Sequence, residues 1–173
     1  MSFPQRKNPR LSSENYRGLR FYFLTLCCHE RRKTFADPSQ CQWLLEFVQA
    51  EAAARDFAVP AYCIMPDHCH LQLQSLDATC DFLRLLKSLK IKTSRRFLQK
   101  TGQTLWQHAF FEHILRRPDE IQSVAWYIWL NPVRKGIVNH PQDYTFAGSL
   151  TGLKLPLAWT KLDWKPVSDP VNV

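Results

Sequence analysis

Residues 57–74 read FAVPAYCIMPDHCHLQLQ, and the folding of this stretch decides the architecture. Phe57 to Met65 is an apolar run of strand length, Pro66-Asp67 is a turn dipeptide, and Cys69 to Gln74 alternates cleanly as CHLQLQ. Two strands joined this tightly pair antiparallel. His68 and His70 stand two apart at the head of the second strand. A period of two therefore sends both imidazoles to one face of the sheet and Cys69 to the other.

Working outward, LRFYFLTLCC at 19–28 is a second apolar, aromatic-rich run of strand length. Residues 39–55 place Trp43, Phe47 and Ala50 at helical spacing, with Leu44, Val48 and Ala54 beside them. Helical period returns over 80–99, where Phe82, Leu86, Leu89, Thr93 and Phe97 share a face. Arg84, Lys87 and Arg95 fall opposite that stripe, and Lys90 and Lys92 flank it. After a break at Gly102, a strand is expected around Phe110 to Leu115. Pro118 with Asp119 and Glu120 then makes a good helix start, and the helix should stop near Asn131-Pro132. The order strand, helix, strand, strand, helix, strand, helix predicts an α+β fold, a ferredoxin-like antiparallel sheet with helices packed on one face. The domain plan that follows is a flexible basic arm at 1–18, one domain at 19–140 and a Pro- and Gly-punctuated tail at 141–173.

The chain of 173 residues carries a formal net charge of +8, which suits a partner dense in negative charge, nucleic acid foremost. No stretch approaches the ~20 apolar residues of a membrane-spanning helix, and the N-terminus lacks the apolar core of a signal peptide, so no membrane partner and a cytoplasmic address are expected. The six cysteines form no CxxC pair and no zinc spacing, which favours reduced thiols used as small hydrophobes.

Two imidazoles on one rigid strand can meet a single metal ion, although an arbitrary HxH is more often a pair satisfied by polar neighbours or facing solvent. In the last helix Ile121, Val124, Ala125 and Ile128 mark the core face. Tyr127 lies at its border with Asn131 one turn later on the same side, so a phenol and an amide can approach one site. A lone tyrosine there is usually an amphipathic core-margin residue. Tyrosine attack on a phosphodiester is chemically sound because phenolate is a moderate leaving group and the linkage can be reversed by a DNA hydroxyl. A divalent ion on two neutral imidazoles would supply charge stabilisation at phosphorus, with Mg²⁺ or Mn²⁺ suited to mixed nitrogen and oxygen ligation. Arg10 in the arm, Lys87, Lys90, Arg95 and Arg96 in the basic helix, and Arg116 and Arg117 are candidate phosphate contacts. Trp106, His108, Phe110 and Phe111 offer stacking surfaces for unpaired bases.

With those residues in place, YCIMPDHCHLQLQ resembles the metal-binding segment of the HUH single-strand nucleases, in their one-tyrosine transposase group. VAWYIWLNPVRKGIVNHPQDYTFAGS resembles the nucleophile segment of the REP-associated tyrosine transposases, and the runs RLSSENYRGLRFYFLTLCCHERRKTF and LWQHAFFEHILRR fit in the same order over about residues 9–150. Asp67 stands where Asn or Glu is frequent, and Cys69 where an aliphatic residue is commoner. The resemblance implies that His68 and His70 are metal ligands, that Tyr127 is the nucleophile and that Asn131 takes the place of a third, polar ligand. It also implies a metal-dependent single-strand DNA endonuclease and strand transferase, acting on REP-type palindromic hairpins through a 5′-phosphotyrosine intermediate. A nucleoid-associated monomer or homodimer fits such a role. Two alternatives stay open: a non-cleaving hairpin DNA-binding protein derived from a transposase, and a hydrolase in which the histidine pair activates water. The HxE and PCxxC pattern of zinc deaminases is absent.

Overall fold

The computed structural model describes residues 13–153. Its elements are β1 (Phe21–Cys27), α1 (Pro38–Ala53), β2 (Phe57–Met65), β3 (His68–Ser75), α2 (Phe82–Thr101), β4 (Phe111–Leu115), α3 (Pro118–Arg134) and a two-residue β5 (Ala147–Gly148). The sheet order is β4-β1-β3-β2-β5, every pair antiparallel, so the histidine-bearing strand is the middle one. The α+β antiparallel sheet is the one expected from the sequence.

Helix ends follow local chemistry. Asp37 accepts from the Ser39 N–H at 2.8 Å to start α1, and Asp81 accepts from the Arg84 N–H at 3.0 Å to start α2. Gly102, at φ 70°, closes α2 in the left-handed conformation that glycine adopts without strain. The last helix outruns its expected stop: α3 continues through Pro132 to Arg134. Proline removes one donor there but keeps a helical φ, and the Lys135 N–H still reaches the Asn131 carbonyl at 3.1 Å.

The helices do not share one face, which corrects the expected packing. Tyr22, Leu24, Leu26, Cys69, Leu71 and Leu73 join α1 and α2 in one core, whereas Phe23, Ala61, Cys63, Met65 and Leu115 join α3 in a second core. A bulge sets this division. Val59 and Pro60 together occupy the space opposite Leu73, between the pairs Ala58↔Gln74 and Ala61↔Gln72. Phe57 and Val59 therefore point to the first core, while Ala61, Cys63 and Met65 turn to the second. Pro60 suits a bulge because no ladder donor is needed from it.

Residues at both ends of the described span are anchored to the sheet and helices. Tyr16 is buried and stacks on Phe82, and the Gly18 N–H bonds to the Cys80 carbonyl. After residue 140, the Tyr144 hydroxyl donates to the Ile64 carbonyl and the Trp129 indole to the Gly148 carbonyl, each at 2.8 Å. At Gly148 a Cβ would meet the Tyr62 hydroxyl at 3.1 Å, so a larger residue there would need that ring to give by a few tenths of an ångström. All six cysteines are free thiols. Among the described residues no helix is long and apolar enough to cross a membrane.

Candidate active site

His68 and His70 are buried on the α3 side of the central strand, at 2% and 0% exposure. Their Nε2 atoms stand 3.1 Å apart, and their outer nitrogens are each held by a neighbour. Asp67 Oδ1 lies 2.6 Å from His68 Nδ1, and Thr25 Oγ1 lies 2.8 Å from His70 Nδ1. A carboxylate only accepts, so Asp67 puts a proton on His68 Nδ1, and in the neutral ring Nε2 then keeps its lone pair. Thr25 either donates to or accepts from His70. When it accepts, both Nε2 lone pairs face one point; when it donates, His70 Nε2–H bonds to His68.

Asp67 is in turn bridged by Arg31 at 3.3 Å. Burial alone would push its carboxyl up, but the His68 hydrogen bond and charge together with Arg31 hold it below the usual carboxylate range. Arg31 reaches this position from two consecutive residues with left-handed backbone, Glu30 at φ 53° and Arg31 at φ 55°. Such geometry costs ~1–3 kcal/mol per residue and persists where the surroundings fix it. His70 is held well below its ordinary value, first by burial and then by the charges of His68, Arg31, Arg134 and Lys135, so its imidazole is neutral.

Tyr127 enters the same cluster from α3. Its ring packs edge-on against His70 at 5.5 Å and Phe23 at 5.7 Å, and the Arg134 guanidinium lies over it, 4.9 Å from the centroid. Only 4% of the residue is exposed, so the tyrosine is more enclosed than a core-margin position implied. Asn131, one turn on, is also buried and makes no hydrogen bond to either imidazole among the described residues.

The donor set suits a divalent ion. Two imidazole nitrogens at ~2.1 Å from one ion and at a right angle stand ~3 Å apart, close to the observed 3.1 Å between the two Nε2 atoms. Outer partners that fix ring orientation are the usual accompaniment of such ligands. Among the described residues no third His, Cys, Asp or Glu gathers with the pair. Among the described residues a further ligand would be of another type, and the buried Asn131 amide stands one helical turn from Tyr127.

The expected DNA contacts divide. Lys87, Arg95, Arg96, Arg116 and Arg117 are exposed, and Arg10 lies outside the described residues. Lys90 is already engaged: its ammonium bonds to the Gln107 and His108 carbonyls at 3.0 and 3.1 Å and sits over the Phe110 ring. Trp106 is no stacking platform, being buried with its indole N–H on Thr93 Oγ1. Sequence reasoning missed Thr25, Arg31, Arg134 and Lys135. For Arg134 a signal existed, since position i+7 from Tyr127 returns to the same helix face.

Comparison with known proteins bears on this geometry. The family described as "Transposase IS200 like" matches residues 20–129, a span containing His68, His70 and Tyr127. A REP-associated tyrosine transposase of Escherichia coli (strain K12) is 26% identical over 127 residues, covering 73% of this chain and 74% of that protein. A Haemophilus influenzae protein is also 26% identical, over 140 residues that cover 73% of this chain and 77% of its own. Among solved structures, a REP-associated tyrosine transposase bound to a REP hairpin superposes with a TM-score of 0.66 at 25% identity, over 85% of this chain and 82% of that one.

Proposed function

This chain belongs to the IS200-like transposase family, and we propose that it cuts and rejoins single-stranded DNA at palindromic hairpins, with Tyr127 as the nucleophile. The observation that carries the reading is the meeting, in one chain, of the Tyr127 ring with a buried pair of imidazoles whose Nε2 atoms converge. The hairpin substrate is supported by the superposition on a relative solved with a REP hairpin, and by the exposed cations on this chain.

His68, His70 and the Asn131 amide would hold a divalent ion, Mg²⁺ or Mn²⁺, which when bound polarises a nonbridging phosphate oxygen as a Lewis acid. Asp67 and Thr25 orient the two rings, and burial keeps His70 neutral with a lone pair to give. The Tyr127 oxygen forms a bond to phosphorus and gives up its proton, and the bond from phosphorus to the 3′ oxygen breaks. The departing oxygen gains a proton as a 3′ hydroxyl, and the 5′ phosphate stays on the tyrosine. Attack by a 3′ hydroxyl of the same or another strand reverses these bonds, so the linkage energy is conserved and no nucleotide cofactor is needed. Both the tyrosine and the histidines come from one chain, so a monomer suffices for the chemistry. A chromosomal DNA substrate would have the protein act in the cytoplasm, beside the nucleoid.

Tyr127→Phe tests this reading on a labelled hairpin from the source chromosome with Mn²⁺. Cleavage should vanish while hairpin affinity stays within about threefold of wild type. Residual nicking by the variant would remove Tyr127 as nucleophile and favour water activated by the histidine pair.

A further inference from the structure

Arg134 is exposed, yet its guanidinium is laid on the ring of a tyrosine that is itself 4% exposed. None of the salt bridges among the described residues uses it, although Arg17, Arg31, Arg55 and Arg117 each find a carboxylate. Lys135 follows it with no carboxylate partner among the described residues, and Arg31 approaches from the β1 side through Asp67. The nearby imidazole of His70 feels Arg31, Arg134 and Lys135 together. Among the described residues Asp67 is the one carboxylate paired within this group of cations, and it is taken by Arg31 and His68, which leaves the Arg134 guanidinium on the tyrosine ring open to an anionic ligand.

We propose that Arg134 is a catalytic residue that binds the phosphate attacked by Tyr127, a role that rests on the function proposed above. The guanidinium carries five N–H donors in a rigid fork that matches two phosphate oxygens. On the tyrosine ring it makes a cation–π contact worth ~0.5–2 kcal/mol. A bidentate charge-assisted pair with phosphate is the stronger partner, so an arriving phosphodiester draws the guanidinium off the ring. The same movement uncovers the tyrosine, because an exposed long side chain changes rotamer at little cost. Ring and phosphate then lie within reach of one arginine, which places the phosphorus beside the phenol oxygen. Negative charge that builds on the phosphate in the transition state is held by a donor already in position.

The test uses the full chain with Mn²⁺ and a chromosomal hairpin whose cut site the wild type defines. Covalent adduct formation is followed in single turnover at saturating protein, on the natural linkage and on a methylphosphonate, which is uncharged, at the cut position. Arg134→Ala should slow adduct formation ~100-fold on the natural linkage, the loss typical of one oxyanion donor. Arg134→Lys should recover about tenfold of that, and hairpin affinity should change less than about threefold. On the methylphosphonate the Arg134→Ala effect should shrink to a few-fold. Arg134→Ala at the wild-type rate, or an equal loss on both linkages, would overturn the proposal. If the wild type forms no adduct, the proposed function fails separately. Arg134 is then judged by inorganic phosphate in chelator: the melting temperature should rise for wild type and not for Arg134→Ala, and equal shifts overturn the assignment.

Discussion

At the scale of the residue, the site is governed by what surrounds each imidazole. His70 is neutral because it is buried among positive charges, and this has a sign in stability. Its native value lies below the ordinary 6.5 of histidine, so the unfolded chain binds the proton first as pH falls. Stability should therefore be full above about pH 6.5 and decline below it, by at most ~1.4 kcal/mol per pH unit. A melting series on metal-free protein from about pH 7 to 5 should show the fall, flattened in His70→Gln. A flat wild-type profile contradicts the buried neutral ring. Thr25 holds the His70 ring through Nδ1, so Thr25→Val should weaken Mn²⁺ binding ~10–100-fold, the usual cost of an outer partner, with calorimetry as the check. His68, His70 and Tyr127 were legible in the sequence because strand period and a family pattern named them. Thr25 and Arg31 were not, since strand pairing and an unusual loop backbone bring them from other parts of the chain.

At the scale of the element, a two-residue irregularity decides what lines the site. The bulge at Val59-Pro60 turns Ala61, Cys63 and Met65 toward α3, leaving small and flexible side chains beside the histidine strand. Pro60 was visible in the sequence, but the period of β2 before and after it reads as one continuous apolar run. The same ambiguity hid the two-sided packing: a strand buried on both faces has no alternation to report which helix covers which side. The segment after residue 140 reads as a tail because Pro and Gly punctuate it, whereas its anchors are the short β5 pairing with β2 and side-chain hydrogen bonds to β2 and α3. Tyr144→Phe removes the donor to the Ile64 carbonyl and should cost ~1–2 kcal/mol by denaturant titration. Loss below about 0.3 kcal/mol would show that this segment does not brace the sheet.

At the scale of the whole molecule, the chain carries an excess of eight positive charges while the candidate site is buried. On the proposed function, long-range attraction would bring the polyanion in, and close contacts at α3 and the sheet would select the linkage to be cut. Lys87, Arg95 and Arg96, exposed on α2, would serve the first task. Replacing all three with alanine should lower the slope of log affinity against log salt by about 2, near 0.7–0.9 per phosphate contact, with little change in the saturated cleavage rate. An unchanged slope would move the DNA path off α2. Both tasks converge on the claim that Tyr127 becomes covalently joined to DNA. The direct measurement is mass spectrometry of the denatured, protease-digested reaction of wild-type protein with a chromosomal hairpin and Mn²⁺. The account predicts a 5′-phosphorylated nucleotide on the peptide containing Tyr127, absent when chelator replaces the metal. Cleaved DNA with no modified peptide, or a nucleotide on any other residue, would contradict it.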